Sequence, residues 1–185
     1  SKDFKIFIYY LFVYLKPLDD ALKKYPQLPI RLHARNLSSE VELISYCLMP
    51  NHFHFLLKQF SRDGISRLMK QVTNAYTEYF NKRYKRTGGL MQGTFKAVKV
   101  KTDEQLIHLS RYIHLNPVVG GIVNKIDHYD WSSYGEFITE NSMGLCNSSI
   151  ILNLFNSSDE YKNFVKDQIN YALELKKIEG LTIDD

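Results

Sequence analysis

The chain has 185 residues, enough for one ordinary domain with a sizeable core and a small appendage. Hydrophobic residues make up 44% of it, and 24 Lys and Arg against 20 Asp and Glu leave a net charge of +4. Its longest apolar stretch, Ile6 to Leu15, is too short to span a bilayer and has no small-residue cleavage site, so neither a membrane span nor a signal peptide is expected.

Two cysteines, Cys47 and Cys146, lie far apart and form no metal-type pair. They fit a reducing, cytoplasmic setting with Cys47 packed as a small apolar side chain. Charge is unevenly spread. No acid occurs from Tyr79 through Thr102, whereas Lys82, Arg83, Lys85, Arg86, Lys96, Lys99 and Lys101 fall there, with Tyr84 and Phe95 among them. A phosphate backbone would favour such a segment, and the aromatics could stack bases. A solvated helix end followed by a loop accounts for it equally well. For Phe95, core packing is the preferred role.

In chain order, Ile8, Leu11, Phe12 and Leu15 form a helical stripe that should end before Pro17. Pro26 and Pro29 break the next segment, and Arg31 to Ser39 is loop-like. Val41 to Met49 and His52 to Lys58 read as strands joined by a Pro50-Asn51 turn, hence a hairpin. A long helix comes next, with Ile65, Leu68, Met69, Val72, Ala75, Tyr76, Tyr79 and Phe80 on its inner face. It frays into the basic run and stops at Gly88-Gly89.

Phe95 to Lys101 alternates imperfectly between apolar and basic, which suggests a half-exposed strand. Thr102 with Gln105 forms a capping box for a helix that Asn116-Pro117 should end. Ser133 with Glu136, and Ser157 with Glu160, form two more; the last opens a C-terminal helix from Ser158 to Gly180. Trp131 reads as packing.

The order matches a ferredoxin-like βαββαβ arrangement whose first strand would lie upstream of Ser1. The expected class is therefore α+β, a ferredoxin-like sheet with helices on one face plus C-terminal helices. Residues 1–140 would form the main domain and 141–185 a helical extension.

His52-Phe53-His54 puts two imidazoles on one face of a strand, able to clasp one divalent ion, with Phe53 turned to the core. Alone, such a pair is more often a surface or hydrogen-bonded feature. On the helix after Thr102, Leu106, Ser110 and Ile113 make the buried stripe, and Gln105, His108, Tyr112 and Asn116 line a neighbouring face. A tyrosine one turn from an amide oxygen suits phosphoryl transfer, although thirteen tyrosines make any one of them a weak candidate.

Tyr46 to Leu57, containing Asn51-His52-Phe53-His54, resembles the signature strand pair of the single-tyrosine HUH transposases, especially the REP-associated tyrosine transposases. Arg111 to Val119 resembles the family's tyrosine-bearing motif, and Gly88 to Lys96 and Trp131 to Tyr134 match in character and order. The resemblance spans about residues 40–138. Thr94 stands where an arginine often follows the Gln-Gly pair, which would weaken a DNA contact.

The resemblance implies a single-tyrosine HUH DNA endonuclease and transposase. His52, His54 and Asn116 would hold Mg²⁺ or Mn²⁺. Tyr112 would form a covalent 5′-phosphotyrosine with single-stranded or hairpin DNA. His108 is a candidate base for the tyrosine. Monomer and homodimer are both open. Two rival functions are a degenerate relative that grips structured single-stranded DNA without cutting it, and a replication-initiation or relaxase enzyme of the same chemistry.

Overall fold

The computed structural model describes residues 1–139 and 144–181. The chain divides into two compact units, Ser1–Leu43 with Leu57–Lys99, and Ile44–Leu56 with Val100–Asp185. The class is α+β.

In the first unit, α1 (Lys2–Leu15) opens behind Ser1, whose hydroxyl accepts the Asp3 N–H. The stripe Ile8, Leu11, Phe12 and Leu15 is buried as expected, and α1 packs on α4 (Gly64–Tyr84), with the Phe7 and Tyr76 rings edge to face at 4.9 Å. Two short helices, α2 (Leu18–Lys24) and α3 (Ile30–His33), occupy the segment expected to be irregular. They start behind Pro17 and Pro29, whose fixed φ suits a helix entrance. Asn36 ties this turn down, its side-chain amide donating to Val13 O and Lys16 O. The α4 helix ends on Lys85, which takes the left-handed conformation at φ 52°.

The hairpin β1 (Val41–Leu48) and β2 (Phe53–Gln59) forms as expected. Met49 N–H donates to His52 O at 2.8 Å across the Pro50-Asn51 turn. Counting back from that pair sets Cys47 opposite His54. Phe53 is half-buried and stacks on Phe55 at 4.7 Å, so it is not the deep core residue expected.

Of the ferredoxin-like sheet, the described residues form this hairpin alone. Phe95 to Lys101 has no ladder and is not a strand. Phe95 is 39% exposed and Val98 89% exposed, so the alternation buries too little apolar surface to offset ordering an extended chain. The lane beside β1 is taken instead by Trp131 to Ser133, through an antiparallel bridge between Cys47 and Ser132.

In the second unit, α5 (Asp103–Val119) begins at Thr102, whose hydroxyl accepts the Gln105 N–H at 3.1 Å. The helix does not stop at Asn116 but runs through Pro117. Pro117 gives up one backbone bond, yet it and Val118 are buried, and Gly120 N–H closes the next turn on Asn116 O at 2.7 Å. A 3₁₀ turn (Ile126–His128), α6 (Tyr134–Ile138) and α7 (Ser149–Leu152) come next.

Ser157 caps α8 (Ser158–Lys166) by accepting the Glu160 N–H, as expected. The expected long C-terminal helix is broken at Asp167 and Gln168, and α9 (Ile169–Leu181) resumes beyond them. Tyr161, Val165, Ile169 and Leu173 form an i, i+4 row that a straight helix would carry about 40° further round at each step. The break lets both α8 and α9 pack on α5. The unit's core gathers Ile44, Cys47, Met49, Leu56, Ile113, Leu115, Phe137, Ile151 and Tyr161, with Trp131 packed against it. Burial pushes the Cys47 thiol up to about 12, so it behaves as the apolar side chain expected.

Candidate functional site

His52, His54, Tyr112 and Asn116 all belong to the second unit. His52 immediately precedes β2 and His54 lies within it. Two residues apart on extended backbone, their side chains leave the same face. The ring centroids are 4.9 Å apart and the planes nearly perpendicular. His54 also meets Tyr112, centroid to centroid 5.6 Å, again edge to face. Thus a strand residue and a helix residue 58 positions apart in sequence stand ring to ring.

The two imidazoles differ in surroundings. His52 is exposed, and its Nδ1 lies 2.7 Å from Asn51 Oδ1. An amide oxygen only accepts, so Nδ1 donates to it, and Nε2 is the ring nitrogen left to face a ligand. His54 is half-buried, and its Nε2 is a buried atom without a hydrogen-bond partner. Burial first, and the neighbouring His52 second, hold His54 below the ordinary histidine range, so it is neutral at pH 7. An unpaired buried nitrogen costs about 1–3 kcal/mol unless something satisfies it. A divalent cation would do so, and two imidazoles on one face of the strand fit one.

Among the described residues, no group of three His, Cys, Asp or Glu could hold a metal ion. A third protein ligand would therefore be an amide or phenol oxygen. The Asn116 side chain donates from Nδ2 to Tyr112 O at 2.8 Å, one turn back on α5. This bond fixes the amide and leaves Oδ1 as its uncommitted acceptor.

Tyr112 is 57% exposed, the condition a nucleophile needs to meet a polymer substrate. His108 is otherwise engaged: its Nδ1 accepts from Arg111 at 2.7 Å, and its ring leans on Phe164. The Arg111 guanidinium lies over the same Phe164 ring at 4.2 Å.

Lys82, Arg83, Lys85, Arg86, Lys96 and Lys99 lie in the first unit and Lys101 in the second; all seven are exposed. Arg83 is partly committed, its Nε 3.4 Å from Asp3 Oδ1 and its guanidinium donating to the Tyr79 hydroxyl. Tyr84 also donates to Asp3, at 2.8 Å.

Behind Tyr112 lies a buried polar group that sequence reasoning left out. His114 is fully buried, 2.8 Å from Ser133 Oγ through Nε2 and 2.8 Å from the Tyr161 hydroxyl through Nδ1. Its signal was present, since His114 is four residues from Ser110 and so shares the stripe assigned to the core. The expected capping box at Ser133 is absent: its hydroxyl faces His114 and the Tyr46 N–H rather than the start of α6.

Residues 25–116 match the family described as Transposase IS200 like. The chain belongs to the IS200-like transposase family. A protein of Haemophilus influenzae named as a REP-associated tyrosine transposase is 28% identical over 103 residues, covering 50% of this chain and 58% of that protein. The chain thus matches less than two thirds of that relative's length. No solved structure is significantly similar to it. The IS200-like match contains both histidines, Tyr112 and Asn116, and ends at Asn116, before Trp131 to Ser133 and α8. Among the described residues, no helix is long and apolar enough to cross a membrane.

Proposed function

We propose that this chain is a single-tyrosine HUH enzyme of DNA transposition, cutting and rejoining single-stranded or hairpin DNA. Tyr112 is its nucleophile, and His52, His54 and Asn116 hold Mg²⁺ or Mn²⁺. The observation that carries the proposal is His54, whose ring meets both His52 and Tyr112 and whose Nε2 is buried without a partner. When bound, the cation would polarise a nonbridging phosphate oxygen and offset the charge that builds up there.

The chain's own residues account for the rest. Asn51 holds the His52 ring in the tautomer that leaves Nε2 available. Tyr112, exposed at the helix surface, loses its proton and attacks phosphorus through Oη. The bond between phosphorus and the 3′ oxygen breaks, and that oxygen leaves as a free 3′-OH after taking a proton. The 5′ phosphate stays on Tyr112. Rejoining runs the same exchange backwards: a 3′-OH attacks phosphorus, the bond to Oη breaks, and Tyr112 recovers its proton. Because one ester replaces another, no external energy source is needed. Lys82, Arg83, Lys85, Arg86, Lys96, Lys99 and Lys101 would attract the strand through its phosphates.

The test uses end-labelled hairpin DNA with a single-stranded flank, Mn²⁺, and denaturing electrophoresis. Wild type is expected to form a labelled adduct that survives denaturation, and Tyr112→Phe none. A wild type that binds the DNA but forms no adduct would establish the non-cutting alternative. An adduct with Tyr112→Phe would assign the nucleophile elsewhere.

A further inference from the structure

We infer that His114, Ser133 and Tyr161 are positioning residues for Tyr112: a relay of buried hydrogen bonds clamps α5 from behind and fixes how it presents the tyrosine beside His54. This rests on the proposal that Tyr112 is the nucleophile.

The hydrogen bonds run unbroken through the core. Ser110 Oγ donates to Ile107 O at 2.8 Å. The Tyr161 hydroxyl lies 3.1 Å from Ser110 Oγ and 2.8 Å from His114 Nδ1. His114 Nε2 lies 2.8 Å from Ser133 Oγ, so both ring nitrogens are bonded in either tautomer. Ser133 Oγ accepts the Tyr46 N–H at 2.9 Å and reaches Tyr46 O at 3.2 Å. In either sense of the ring proton every donor is satisfied.

The placement of these bonds gives the relay its effect. Ser110 and His114 are one turn apart on the same side of α5, and Tyr112 lies about 200° from each, on the opposite side. Two tethers a turn apart oppose rotation of the helix about its own axis. The far end is anchored on the backbone of β1, the strand paired with the one that carries His54. The relay thus couples the helix bearing the tyrosine to the hairpin bearing the histidines. A misplacement of about 1 Å at a reacting group can cost on the order of 100-fold in rate. A buried relay that sets the angle of α5 is therefore worth far more to the reaction than to DNA binding.

Tyr161→Phe removes one oxygen atom and keeps the ring, and Ser133→Ala removes the other anchor. Both are measured against Ile126→Val, a buried substitution in the same core outside the relay. The readouts are the single-turnover rate of adduct formation at saturating hairpin DNA with Mn²⁺, the Kd for the DNA, and the melting temperature. We expect Tyr161→Phe and Ser133→Ala to lose about tenfold or more in rate with Kd within twofold. Ser133→Thr, which keeps the hydroxyl, is expected to recover much of the loss. Ile126→Val should keep the wild-type rate.

Wild-type rates in both relay variants, or an equal loss in Ile126→Val, would overturn the inference and leave the nuclease proposal standing. If Ser133→Ala does not fold, Tyr161→Phe decides. A wild type without any adduct overturns the nuclease proposal and this inference together.

Discussion

Mild acid should destabilise this protein well before its carboxylates titrate, and His114 is the reason. The imidazole is fully buried among Phe137, Tyr134 and Tyr161, and burial pushes its pKa down to about 3 from the ordinary 6.5. The folded ring is neutral, whereas the ring in the unfolded chain takes a proton below pH 6.5. The stability it contributes is complete above the unfolded value and is lost as pH falls toward the folded one. Each pH unit in that window costs about 1.4 kcal/mol, so at pH 5 the loss is about 2 kcal/mol. Against a typical total of about 5–15 kcal/mol, that is a large fraction. His54, also held low by burial and by His52, adds to the loss with the same sign. Urea unfolding followed by circular dichroism at pH 7.5, 6 and 5 measures it. His114→Phe, which cannot titrate, should be weaker than wild type at pH 7.5 and lose less on acidification. A wild type that loses under about 0.5 kcal/mol by pH 5, or a His114→Phe variant that falls as steeply as wild type, would show that His114 is not the cause.

Three further outcomes are expected. A Cβ on Gly120 would lie 2.9 Å from Asn116 O and 2.9 Å from Met49 Cε, so Gly120→Ala should cost about 1–3 kcal/mol, and an unchanged melting temperature would contradict this. Lys85→Gly relieves a left-handed residue at the end of α4, which should add about 1 kcal/mol and raise the melting point by about 2–4 °C while weakening DNA binding by one charge. His52→Ala should abolish adduct formation but leave most of the charge-driven affinity measured by fluorescence anisotropy; equal loss of both would point to misfolding.

The elements that the sequence made legible are those whose pattern and packing agree. The α1 stripe repeats at helical spacing and is buried where expected, and β1 is an apolar run closed by Pro50-Asn51. Thr102 and Ser157 are true caps, and among the described residues no other group bonds their hydroxyls. Ser133 has the same local signature, but its hydroxyl is drawn to His114 and to the Tyr46 backbone 87 residues away, a competition no local pattern records. Pro117 misled in a similar way. A local rule ends the helix there, yet burial of Pro117 and Val118 keeps it going for another turn. For the site itself, the two-residue spacing of the histidines already set them on one face. Only the fold brings Tyr112 to His54, because that contact depends on how α5 lies in the unit's core.

The described residues place no third strand beside β1, and the hydrogen bonds of β1 explain why. Its N–H groups alternate in direction. Met49 points to His52 across the turn, whereas Tyr46 and Leu48 point the other way, to Ser133 Oγ and to Trp131 O at 2.9 Å each. The carbonyls on that side are met as well, Tyr46 O by the Ser133 N–H and Leu48 O by the Tyr129 hydroxyl at 2.6 Å. Tyr46 and Leu48 thus have no N–H left to offer a neighbour, and both carbonyls on that edge are met. A basic segment such as Phe95 to Lys101, with lysines at three of its seven positions, could not displace partners that also bury Ser132, Ser133 and Tyr134 in the core. The same bonds that exclude a strand from this edge fasten it to α5 through Ser133 and His114. What the hairpin forgoes in sheet, it recovers as a fixed connection between His52 and His54 on one side and Tyr112 on the other.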